Sequence, residues 1–210
     1  MDFLPSEEDF SLSSLESSQA SSVDLDNDTP LVFLSIGTHG LFNYDTNHVP
    51  ELSQISLVYQ KNEFFRSVSR ETKAKDDKEL KECLMDLIQW LNEVKKSADG
   101  RKAILLAHNG YRSHFKVLCL SLERCGLIEE SFDVIGGFSD TLDMAQKFIS
   151  RERVKNYQLI TLAEVFLGCD PPSNARAKAR ALQKIFEGQL AKDFSEEEVY
   201  TFHNFLESNI

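Results

Sequence analysis

The first 29 residues contain no lysine and no arginine, against eight acids and eight serines. They carry −8 of the formal −11, and the other 181 residues, with 26 acids and 23 bases, are close to balance. One-signed charge with little apolar content cannot offset the entropy of ordering. Residues 1–29 are therefore expected to form a disordered, acidic, Ser-rich tail, with a single domain over 30–210. For the tail two readings stand: a plain solubilising arm, or a short partner-binding segment built on Phe3, Leu4, Phe10, Leu12 and Leu15 and tuned by phosphorylation. No apolar run reaches the roughly 18–20 residues needed to cross a bilayer, so no membrane partner is expected. Met1 to Glu8 lacks the basic start and apolar core of a signal peptide, which gives a cytoplasmic or nuclear location as the expectation. Cysteine is scarce, and Cys83, Cys119, Cys125 and Cys169 are widely spaced, so they read as reduced thiols rather than disulfides. His39, His48, His108, His114 and Cys119 include no pair with metal-ligand spacing matched by a second pair, so neither a metal nor another cofactor is expected.

With 41% hydrophobic and 10% aromatic residues, the chain is able to bury a core in one domain. Leu31–Ser35 is a continuous apolar run of strand length, and Ile55–Tyr59 and Glu63–Val68 predict two further strands. Leu80, Cys83, Leu84, Leu87, Ile88, Leu91 and Val94 recur at helical spacing and predict a long amphipathic helix ended by Ala98-Asp99-Gly100. Ala103–Ala107 reads as a central buried strand. Phe115, Leu118, Cys119 and Leu122 predict a second helix that stops at Gly126, and Phe132–Gly137 a returning strand. Ser195-Glu196-Glu197-Glu198 has the form of a capping box, in front of a helix carrying Val199, Phe202 and Leu206. His108-Asn109 reads as the cap of the turn after the central strand, because Asn tolerates a left-handed backbone.

Four segments carry chemistry by their order. Leu31-Val32-Phe33-Leu34-Ser35-Ile36-Gly37-Thr38-His39-Gly40 is similar to the first motif of DEDDh-type 3′–5′ exonucleases, a buried strand ending in Asp-x-Glu-Thr-x-Gly, with Ser35 and Gly37 at the two acid positions. Ala103–Ala107 followed by His108-Asn109 and His114 resembles the second motif, with His114 in place of its Asp. Ser139-Asp140-Thr141-Leu142 looks like the family's strand end and following helix. Asn156 to Gly168 resembles the short helix before the third motif, after which Ser173 stands for the general-base His and Lys178 for the last Asp. The segments Leu87 to Val94, Gly126 to Glu130 (read as a turn) and Val154 to Leu159 look like the exonuclease-like domain of Exuperantia. Pro30 to Leu34 resembles the start of the exonuclease-like domain of the promyelocytic leukaemia protein. The resemblance implies an α/β, RNase H-like fold, a mixed central sheet flanked by helices, in a degenerate member of the superfamily.

Cleavage by two divalent ions roughly 3.5–4 Å apart needs converging carboxylates, which Ser, Gly, His and Lys do not supply. The resemblance therefore implies a domain that is not an enzyme. Two function classes follow. The first is a protein-interaction or dimerisation module in an RNA-related or nuclear assembly. The second is a metal-independent binder of single-stranded RNA or DNA, using a groove whose charge has moved from about −4 to between 0 and +2. An active 3′–5′ exonuclease is the distant third. Binding candidates are His108, Asn109, Arg112, Arg176, Lys178 and Arg180, within a basic set that adds Lys147, Arg151, Arg153 and Lys155. Lys178 has a bland alternative as a side chain extending to solvent from an exposed helix, and Arg176 and Arg180 share it.

Overall fold

The computed structural model describes residues 25–26, 28–40, 49–69, 77–168, 170 and 172–209. Most of the expected tail, His48 and Cys169 lie outside these residues. Six strands form one mixed sheet in the order β3-β2-β1-β4-β5-β6. β1 (Leu31–His39) pairs antiparallel with β2 (Glu51–Tyr59), which pairs antiparallel with β3 (Asn62–Ser67). On its other side β1 runs parallel to β4 (Ala103–Ala107), and β4 parallel to β5 (Ile135–Asp140).

Strand alternation sorts the core into two halves. Val32, Leu34 and Ile36 of β1, with Ala103, Leu105 and Ala107 of β4, face the helices α1 (Lys78–Ser97) and α2 (Phe115–Arg124). Phe33 of β1, with Ile104 and Leu106 of β4, faces α4 (Thr141–Phe148), α5 (Leu159–Leu167) and α6 (Ala175–Ile185). The same period of two puts Ser35 and Gly37 on the second face, beneath α5 and α6. β4 lies between parallel neighbours and is buried at every residue, as an unbroken apolar run requires.

Several boundaries differ from the sequence reading. β1 extends to His39 and β2 starts at Glu51, so Gly37 sits inside a paired strand opposite Gln54, with a bulge before Thr38. The strand expected from Phe132 begins only at Ile135, because residues 128–132 wind into α3 (Ile128–Phe132). The Phe132 ring is held there against Phe202, centroids 4.9 Å apart. The segment read as a turn at Gly126 to Glu130 therefore already enters a helix.

The expected capping box does not form. Ser195 makes no side-chain cap, and Glu196–Glu198 is a single 3₁₀ turn followed by the short strand β6 (Tyr200–Thr201) and α7 (Phe202–Asn209), which leaves Val199 off the helix. Tertiary contacts outweigh the local signal. Lys147 holds the Glu198 carboxylate, and Gly137, opposite Thr201, lacks the Cβ that would come within 2.8 Å of Val199 Cγ1.

At the amino-terminal end, Leu25 packs against the second core half and donates its N–H to Glu196 Oε1 at 3.3 Å, while Asp26 pairs with Arg101 at 2.8 Å. The chain thus touches the domain before the boundary expected at residue 30. Cys83, Cys119 and Cys125 are buried free thiols, and burial pushes Cys83 up to about 11, which keeps it protonated and unreactive. Among the described residues no helix is long and apolar enough to cross a membrane.

Candidate functional site

The second face of the sheet opens into a pocket of about 520 Å³ between the middle of β1, the loop that follows β4, the turn at residues 151–158 and helices α4, α5 and α6. Behind the lining, a buried carboxylate fixes the loop that carries His108 and Asn109. Asp140 ends β5 and accepts three backbone N–H groups, from Asn109 (2.9 Å), Tyr111 (3.1 Å) and Leu142 (2.9 Å). It caps α4 and clamps the loop after β4 at once. Burial pushes its carboxyl up to about 6, although the three N–H groups pull the other way. Its position before a helix was the sequence signal for the cap. Its hold on Asn109 and Tyr111 depends on the parallel pairing of β4 and β5.

Asn109 adopts the left-handed conformation, φ 59° and ψ 39°, as its residue type predicts, and leads into one turn of π-helix at Gly110–His114. Gly110 is required there, since a Cβ would come within 2.3 Å of the Phe115 ring. This wide turn delivers His114 to the pocket wall. Ile36 donates its backbone N–H to His114 Nδ1 at 3.2 Å, so Nδ1 carries no proton and the ring is neutral. Burial, and after it the charge of Lys178, hold its pKa down at about 4. His108 is neutral as well. Its Nε2 donates to the Tyr157 carbonyl at 2.7 Å, Nδ1 faces the Thr141 hydroxyl at 3.1 Å, and burial lowers its pKa to about 4.

Ser35, expected at the first acid position, is 3% exposed, lines the pocket, and its Oγ has no hydrogen-bond partner among the described residues. Gly37 lies on the same strand face, and a Cβ there would meet Gln54 Cβ and Ser53 Oγ at 3.3 Å each. Ser173 is exposed ahead of α6, whose N-cap is Asn174, and it does not line the pocket. Lys178 does.

The eight basic candidates separate cleanly. Arg151, Lys155 and Lys178 line the pocket, and among the described residues none of them pairs with a carboxylate. Four more are engaged elsewhere. Lys147 pairs with Glu198, and Arg153 lies over the Phe166 ring at 4.8 Å. Arg176 lies over Phe65 at 4.5 Å, and Arg180 is bidentate to Glu63. Arg112 is exposed outside the lining. Among the described residues no carboxylate lines the pocket, so its side chains carry about +3 near neutral pH, of which Lys178 beside a neutral His114 accounts for +1, within the 0 to +2 expected at the degenerate positions. The rest comes from Arg151 and Lys155. Among the described residues no cluster of three or more His, Cys, Asp or Glu side chains is placed to hold a metal ion.

This architecture is that of an RNase H-like exonuclease fold. It is shared with a 3′-exonuclease in 3′-end-specific recognition of a histone mRNA stem-loop, at TM-score 0.53 and 14% identity over 82% of this chain and 84% of that one. It is also shared with the nuclease domain of 3′hExo, a DEDDh family member, bound to rAMP, at TM-score 0.52 and 13% identity over 82% and 95%. The model of the Exuperantia RNase H-like domain matches residues 54–166, more than half of the sequence, and the chain belongs to that family. No curated protein matches the sequence.

Proposed function

We propose that the chain is a catalytically inactive exonuclease-like domain whose degenerate pocket holds the end of a single-stranded RNA or DNA without metal. One observation carries this reading: among the described residues, three cations without carboxylate partners share a pocket that no carboxylate lines. Unpaired cations in a concave site attract phosphate, and a lysine ammonium is an ordinary phosphate partner. The two neighbours of the same fold are described with an RNA stem-loop and with rAMP, which supports a ligand of nucleotide chemistry. Inactivity rests on the residues at the five expected catalytic positions, Ser35, Gly37, His114, Ser173 and Lys178, none of which is a carboxylate.

The interaction-module reading has its own support in a second groove. Met85, 53% exposed, lies there with Ile88 and Leu127 between α1 and α3. Titration of the full chain against a labelled single-stranded RNA pool, followed by anisotropy at two salt concentrations, separates the readings. Salt-sensitive binding is expected, with a slope that falls by about one contact in Lys178→Glu. Absence of salt-sensitive binding at low ionic strength overturns nucleic-acid binding and leaves the interaction module.

A further inference from the structure

We infer that the pocket selects strands ending in a phosphomonoester over strands ending in a hydroxyl, a reading that rests on nucleic-acid binding at this site. The first ground is an unmet hydrogen-bonding group. Ser35 lines the pocket and is 3% exposed, and its Oγ, buried just behind the pocket surface, has no hydrogen-bond partner among the described residues. A buried hydroxyl without a partner is costly, and an acceptor oxygen delivered by a ligand removes that cost. Opposite it on β2, the Ser56 hydroxyl is likewise buried and unpartnered. His114 cannot supply the missing acceptor, because its Nδ1 is already occupied by the Ile36 N–H.

The second ground is charge. Lys178, half-buried, lines the same pocket as Ser35, while Arg151 and Lys155 are exposed at its mouth. A phosphomonoester carries about −1.5 to −2 near pH 7 and offers three acceptor oxygens. With the neighbouring internal diester, the ligand totals about −2.5 to −3, which balances the three cations. A hydroxyl end brings only the diester charge and offers the Ser35 hydroxyl a neutral acceptor in place of a charged one, so the three cations are only partly balanced. The remaining wall, which includes Leu142, Leu159 and Leu182, is apolar and suits a base or sugar face. The volume of about 520 Å³ falls within the range of small-ligand sites, roughly 300–1,000 Å³. Terminal phosphates occur at either end of a strand, and the chemistry recognised is the same.

The test uses the full chain and fluorescein-labelled oligouridylates of about ten nucleotides in four forms: 3′-hydroxyl and 3′-phosphate with the label at the 5′ end, and 5′-hydroxyl and 5′-phosphate with the label at the 3′ end. One phosphorylated end is expected to bind roughly tenfold more tightly than its hydroxyl counterpart, as charge-assisted hydrogen bonds are stronger than neutral ones. That preference shrinks in Ser35→Ala, disappears in Lys178→Gln, and persists in Arg176→Gln, whose side chain is engaged on Phe65. It also fades as the pH falls below about 6, where the monoester loses its second charge. Melting curves confirm that the variants are folded. Equal affinity for all four ends overturns the inference while leaving single-strand binding intact. Absence of binding to any of them overturns both.

Discussion

Ile36 and His114, in β1 and at the end of the π-helical turn, are joined by a backbone-to-ring hydrogen bond of 3.2 Å that is compatible only with an unprotonated Nδ1. The strand that carries two of the expected acid positions, Ser35 and Gly37, is fastened to a neutral imidazole. The bond ties the pocket's two walls together with one proton assignment.

That assignment predicts how stability depends on pH. His108 and His114 have folded pKa values lowered to about 4 from an ordinary 6.5, so between those limits the unfolded chain binds protons that the folded chain does not. Their contribution is present above 6.5 and is lost as the pH falls. Asp140, raised to about 6 from 3.8, acts in the opposite sense, because the folded chain takes up its proton first. Two protons against one leave a net loss of about 1.4 kcal/mol per pH unit near pH 5–6. Urea unfolding from pH 7 to 5 checks this. His114→Gln should make the profile nearly flat, and an unchanged slope in that variant counts against the neutral-ring assignment.

Asp140→Asn is expected to lower stability by about 1–3 kcal/mol, because one carboxylate oxygen becomes an amide donor facing an N–H group that then has no acceptor. Asp140→Ala, which frees the N–H groups of Asn109, Tyr111 and Leu142 together, should cost more. Denaturation midpoints measure the loss, and oligonucleotide binding should fall in parallel because Asn109 lines the pocket. An Asn variant as stable as wild type would show that the clamp is dispensable.

Purified protein with Mg²⁺ or Mn²⁺ should leave labelled single-stranded RNA and DNA intact. Lys178→Asp should not restore cutting, since one carboxylate cannot assemble a two-metal site. Shortening from the 3′ end that copurifies with the protein and is altered in Ser35→Ala would refute inactivity.

Removal of residues 1–29 should reduce stability more than removal of residues 1–24. The difference is the partly buried Leu25, worth about 1 kcal/mol. The solvent-exposed Asp26–Arg101 pair adds little. Thermal melts of the two truncated chains measure the gap, and equal midpoints would place the true edge of the domain at residue 30.

Features set by local pattern were legible in the sequence. The run Ala103–Ala107 became a strand with those limits, and the period of the apolar residues from Leu80 to Val94 marked a helix that spans Lys78–Ser97. Asn109 was readable because its backbone conformation is a property of its own side chain. What depended on distant partners was not readable. Nothing local to Arg180 shows that it meets Glu63, which lies 117 positions away, or that Arg151 and Lys155 come to the same cavity as Lys178. Ser195 failed as a cap for the same reason. The capping pattern was present, but Glu198 had a partner in Lys147 and the following residues had a strand to join.

Glu63, on the edge strand β3, engages Arg180 through both carboxylate oxygens and lies 4.0 Å from Arg176, and these two guanidiniums hold its own carboxyl below the usual range. Helix α6 thus has two differently insulated flanks: two of its cations are cancelled at the sheet edge while Lys178, on the pocket side, keeps its full field. Under the proposed function, Glu63, outside the pocket lining, would keep Arg176 and Arg180 from competing with Lys178 for a polyanion, and its loss would extend the attraction toward the sheet edge. Selectivity of place, as much as affinity, would then depend on a residue that does not line the pocket.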